Sequence, residues 1–268
     1  IDTGDLSKML KLRHMFSWNI FYNIFLLNYF EKKYKKNEDL KITKNKKLKL
    51  VKLSRKKIKV RKISQNNFKD FLYGARMMDE HFINEDIENN IPIILALLRV
   101  WNRNFLNRNS HCIVPYSNRL AKLPSWAQQL EMESNGKSVS RDGEALEYTT
   151  MPILWGGCGT NGQHAYHQLL HQGTSAYAAD IIVVAQDQMN LPHHRNWLNA
   201  NALAQAQAMT DGWIPKSVED SHRAVPGQHP LSMVLIDKLG PTQLGALLAT
   251  YEHKVFCQGA LWNINSFD

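Results

Sequence analysis

Only three cysteines occur, Cys112, Cys158 and Cys257, widely spaced and without a C-x-x-C pair. That excludes a disulfide framework and a cysteine zinc site. It fits a reducing, cytoplasmic compartment in which each thiol is a small buried side chain. Long apolar runs are also scarce. Met15–Phe30, MFSWNIFYNIFLLNYF, has 16 residues, whereas a helical membrane span needs about 20. Asn19, Asn23 and Asn28 would carry amides into hydrocarbon at high cost, and the run lies too far from a small-residue cleavage site for a signal peptide. No membrane partner is expected. No internal repeat is visible.

What is present divides in two. Residues 1–65 carry 19 Lys and Arg against 5 Asp and Glu, while the remaining residues carry 14 against 19. The net charge of +9 therefore belongs to the first part and does not describe the rest. KKNEDLKITKNKKLKLVKLSRKKIKVRK is rich in Lys and Asn, but it lacks interleaved aromatics for base stacking. Residues 1–65 read as a solvated, poorly ordered leader, with no nucleic-acid partner expected.

From about Phe68 the texture is that of an α/β domain. NFKDFLYGARMMDEHFIN and NNIPIILALLRVWNRNFLN have helical apolar spacing. HCIVPYS, MPILW and DIIVVA are of buried-strand length. NRLAKLPSWAQQLEMESNGK reads as a helix ending near Gly136, and NWLNANALAQAQAM as a helix of good formers. LSMVLIDKLGPTQLGALLATYEHKVFCQGALW predicts a strand, a Pro-initiated helix and then a further apolar element. Alternating strands and helices predict a three-layer α/β/α sandwich with a mainly parallel sheet.

Met151–Gly173, MPILWGGCGTNGQHAYHQLLHQG, contains G-x-G-x-x-G between a strand-like run and a helical one. Asp180 lies eighteen residues past Gly162, where a ribose-binding acid would fall. Some eighty residues of folded-looking chain precede this loop, however, and a phosphate loop would need Lys where Gln163 stands. Glycines between a strand and a helix also allow a tight turn with no ligand at all. His164, His167 and His171 share a face if they lie on one helix, but no nearby carboxylate completes a metal set. Cys158 has no evident base to make it a nucleophile.

Longer matches decide the reading. MESNGKSV at 132–139, GTNGQHAYHQLLHQGT at 159–174, LGALLATYEHKVFCQG at 244–259 and LWNINSFD at 261–268 together resemble the glucose-6-phosphate isomerase family. The order and approximate spacing agree, and the resemblance runs from about Phe68 to Asp268. It implies a partial second sugar-isomerase domain over 66–268, an aldose-ketose isomerase of glycolysis and gluconeogenesis, no cofactor or metal, and a homodimer. The substrate would be glucose 6-phosphate or fructose 6-phosphate, interconverted through a cis-enediol.

By the same resemblance, Glu133 is the base, His164 the ring-opening group reaching a partner's site, and Gln129 a substrate contact. Read from its own surroundings, Glu133 ends a helix beside a glycine turn, where a carboxylate can project into a cleft. The family's Gln-Trp-Gly-Val-Glu-Leu-Gly-Lys segment, its phosphate-binding Ser/Thr loop and its Gly-Gly-Arg-Tyr-Ser stretch have no counterpart here. Its G-E-P-G-T is Gly156-Gly157-Cys158-Gly159-Thr160 in this chain. The expectation is a C-terminal portion of the family pattern, truncated at both ends. An inactive binding or dimerising module is the alternative.

Overall fold

In the computed structural model, described for residues 23–26, 64–186 and 191–267, five strands form one parallel sheet. They are β1 (Asn23–Leu26), β2 (Ser110–Pro115), β3 (Ile153–Gly156), β4 (Tyr177–Val184) and β5 (Leu231–Ile236), in the order β1-β5-β4-β2-β3. β1 falls inside the Met15–Phe30 run, where no strand is predicted, and its Asn23 registers with Ser232. Of the rest of the basic leader only Ser64 and Gln65, at the start of a helix, are among the described residues. Cys112 pairs with Trp155 on one side and Ala179 on the other, which makes β2 and β4 central and β3 an edge.

Side chains alternate along a strand, and both faces of this sheet are covered. Ile113, Leu154, Ile182, Val184, Val234 and Ile236 enter one apolar cluster, while Cys112, Val114, Ile181, Val183, Leu231 and Met233 enter another. The first face carries α1 (Gln65–Asn84), α2 (Ile91–Val100), α3 (Leu123–Gln128) and α7 (Pro241–Leu261). The second carries α4 (Gly159–Gln163), α5 (His167–Gln172) and α6 (Pro192–Thr210). The result is the three-layer α/β/α arrangement that the alternating pattern implies.

Local chemistry accounts for the ends of these elements. Ser64 caps α1 by accepting from the Asn67 amide at 3.1 Å. Pro241 opens α7 at the first helical position, where its missing N–H costs nothing. α1 and α7 meet backbone to backbone, because a Cβ on Gly74 would overlap the Thr242 carbonyl and one on Gly245 the Phe71 carbonyl.

Three expectations need correction. α7 runs unbroken to Leu261, so no separate apolar element follows the Pro-initiated helix; nothing between Tyr251 and Leu261 breaks it, and Gly259 is tolerated one turn from its end. The three histidines do not share one helix, since the chain turns between Gln163 and His167, with Tyr166 at φ −143°. Of the cysteines, only Cys112 is fully buried; Cys158 and Cys257 are half-buried. Among the described residues no helix is long and apolar enough to cross a membrane.

Candidate active site on either side of an edge strand

Gln129 and Glu133 sit on a wider helical turn, Gln129–Glu133, that continues α3. Both are exposed, whereas Glu131 between them is completely buried. Residues two apart on a helical turn face in roughly opposite directions, and residues four apart nearly coincide. A single inward residue at 131 therefore turns 129 and 133 outward together. Gln128 Nε2 donates to the Leu154 carbonyl at 3.0 Å, and the Leu154 amide donates to Met132 Sδ at 3.3 Å, which ties this turn to β3.

Beneath the turn lies a buried polar network. Glu131 Oε1 accepts from Lys254 Nζ at 2.8 Å, and its Oε2 is 3.5 Å from Arg99 Nη2. Arg99 also lies 3.7 Å from Asp180 Oδ2, which accepts from the Tyr251 hydroxyl at 3.3 Å. His111 Nε2 is 3.0 Å from Asp180 Oδ1. Burial alone would raise the Asp180 carboxyl, but His111, Lys254 and Arg99 outweigh it and hold the group below the usual carboxylate range. Burial pushes Lys254 down from its ordinary value, against the pull of Glu131. The adjoining cavity, bounded by Arg99, His111, Asp180, Ser232 and Lys254, measures about 10 Å³. That is the space of about one water, far too little for a sugar phosphate.

These five polar residues belong to the architecture; of them the sequence singles out only Asp180, and for a different role, as a ribose-binding acid. The available signal was a charged or polar residue inside an apolar strand. SHCIVP and YAADIIVV each carry one, and an unpaired buried charge is too costly to persist. Asp180 is thus an interior ion-pair member and not a ribose ligand.

His164 occupies the other side of β3. Gly156, at φ +144°, ends the strand where a Cβ would overlap the Ile113 carbonyl. α4 then packs closely, for a Cβ on Gly159 would enter the Tyr116 ring and one on Gly162 would meet Tyr166. The Tyr166 hydroxyl donates to the Gly157 carbonyl at 3.2 Å, and Gln163 Nε2 donates to the Tyr116 hydroxyl at 3.0 Å. The glycine spacing is therefore used by two tyrosines of the same chain. His164 ends α4, its amide donating to the Asn161 carbonyl at 3.1 Å and its side chain exposed.

The structure does not bring Glu133 and His164 together within one chain. Leu130 and Met132 pack on the first face, Trp155 and Tyr166 on the second, and neither a hydrogen bond nor an ion pair joins the two residues. His167 and His171 converge instead on Gln205 Oε1, at 2.9 and 2.6 Å. Among the described residues no three His, Cys, Asp or Glu side chains are placed to hold a metal ion. Burial raises the Cys158 thiol, which disfavours the nucleophilic thiolate.

A family model described as phosphoglucose isomerase matches residues 58–268. The chain belongs to the phosphoglucose isomerase family. It is similar to a glucose-6-phosphate isomerase of Shewanella baltica, 45% identical over 222 residues that cover 77% of this chain and 41% of that protein. A glucose-6-phosphate isomerase of Polaromonas naphthalenivorans is 49% identical over 206 residues, covering 77% and 39%. Among solved structures, a glucose-6-phosphate isomerase from Chlamydia trachomatis superposes with a TM-score of 0.72 at 38% identity, over 76% of this chain and 40% of that one. This chain thus spans about two fifths of the length of these phosphoglucose isomerase relatives.

Proposed function

We propose that the chain forms part of the active site of a glucose-6-phosphate isomerase, which interconverts glucose 6-phosphate and fructose 6-phosphate in the cytoplasm. In this reading residues 66–268 are a partial second sugar-isomerase domain behind a basic leader. Glu133 takes the proton from C2 of the ring-opened sugar, the electron pair passes through a cis-enediol, and the proton returns at C1. Gln129, on the same side of the turn, contacts the substrate. His164 assists ring opening in the site of a second copy.

One observation carries the reading. Gln129 and Glu133 project together from a turn whose intervening residue, Glu131, is locked inside the fold. The placement of His164 across β3 suits a group that serves another chain, which favours a homodimer with two-fold symmetry. General acid–base catalysis by one such group is worth about 10² to 10⁴-fold. A coupled isomerase assay on the purified chain tests this. Turnover that falls to background in Glu133→Gln supports it, and an unchanged rate in that variant defeats it. Absence of turnover in the unaltered chain, with dimerisation intact, supports a non-catalytic binding or dimerising module.

A further inference from the structure

The turn bearing Glu133 is held from below by one helix distant in sequence. Glu131 is completely buried and accepts from Lys254 Nζ at 2.8 Å; Lys254 is itself 1% exposed. On the other flank Asn135 is completely buried. Its Nδ2 donates to the Val255 carbonyl at 3.0 Å and to Gln258 Oε1 at 3.2 Å, and its Oδ1 accepts from the Ser266 hydroxyl at 2.6 Å. Lys254 and Gln258 are four apart on α7 and so lie on one face of it. Two inward anchors therefore bracket Glu133 at equal distance along the chain.

The chemistry of the anchors makes this arrangement specific. An apolar contact tolerates sliding, but a buried carboxylate and ammonium are stabilised only while they face each other. Rotating the turn enough to redirect Glu133 would separate Glu131 from Lys254 and strand both charges. We infer that Lys254 and Asn135 are positioning residues for Glu133, fixing the direction of its carboxylate through Glu131 on one side and the Asn135 hydrogen bonds on the other. The inference rests on the assignment of Glu133 as the base, while the clamp itself can be measured without turnover.

Hydrogen exchange followed by mass spectrometry on the full chain tests it, with Lys254→Met, the double variant Glu131→Leu/Lys254→Met, and Ser266→Ala. The double variant removes both charges together and should recover most of the thermal stability lost in Lys254→Met. Its amides over 129–136 should nonetheless exchange at least about tenfold faster than in the parent, while β4 keeps its protection. Ser266→Ala should show a smaller local increase without burying any charge. Parent-like exchange over 129–136 in both the double variant and Ser266→Ala would overturn the inference, as would an equal increase in β4. Where the parent turns over substrate, kcat in the double variant should fall on the order of tenfold to a hundredfold with KM nearly unchanged. A parent without turnover defeats the catalytic reading and leaves the exchange result to decide the clamp.

Discussion

The two sides of β3 hold their exposed residues by different means. On the Glu133 side the anchor is electrostatic, a carboxylate and an ammonium buried together under the turn. On the His164 side it is steric, with glycines that admit tyrosine rings where any Cβ would collide. A buried pair gives direction but fails as a unit when one partner goes. Close packing yields by degrees and tolerates small changes in angle. Under the proposed function, a base that must meet one C–H bond gains from the first kind, while a group that crosses to another chain can use the second.

The largest expected effect breaks the electrostatic side. Lys254→Met leaves Glu131 buried with only Arg99 nearby and should cost about 3–5 kcal/mol in urea unfolding. Next comes the steric side. Gly159→Val drives a branched side chain into the Tyr116 ring and should cost about 1–3 kcal/mol or somewhat more, with His164 displaced. Tyr166→Phe removes the hydroxyl that donates to the Gly157 carbonyl at 3.2 Å and also bonds the Cys112 thiol, and should cost about 0.5–1.5 kcal/mol by the same measurement.

Acid should act in two windows, the first of them shared by both sides, since burial and then Arg99 also push His111, on the Glu133 face, below its ordinary value. Burial pushes His167 and His229, both on the His164 face, below their ordinary value, His229 to about 4. The unfolded chain protonates these rings first, near pH 6.5. Their contribution is thus present above that pH and is lost as pH falls toward about 4, where folded His229 also takes up a proton. Asp180, on the Glu133 face, is held below its ordinary value, so its contribution is lost only below about pH 4. Melting curves against pH should show a decline from near neutrality that is reduced in His229→Phe, followed by a steeper acid limb.

Much of the fold was legible because run length, spacing and helix propensity encode it locally. Strands read from the apolar runs HCIVPYS and DIIVVA, and helices from the spacing of 67–84 and the good formers of 196–209, match β2, β4, α1 and α6. The break at His164–Tyr166 was not legible, since GQHAYHQLLH has helical composition, while the packing of Tyr166 against Gly162 found there depends on the fold. The motif letters pointed to Glu133, Gln129 and His164, but no local pattern says which face of the sheet each occupies. The Glu131–Lys254 pair joins residues 123 apart, a relation that only packing can reveal.

The central claim is that Glu133 and His164 meet across two copies of the chain. Mixing separately purified Glu133→Gln and His164→Asn variants, with subunit exchange, tests it by the coupled isomerase assay. If the site is shared, half the dimers are mixed and each has one intact site, so activity should recover to about one quarter of the parent's. A mixture no more active than its components would contradict the account.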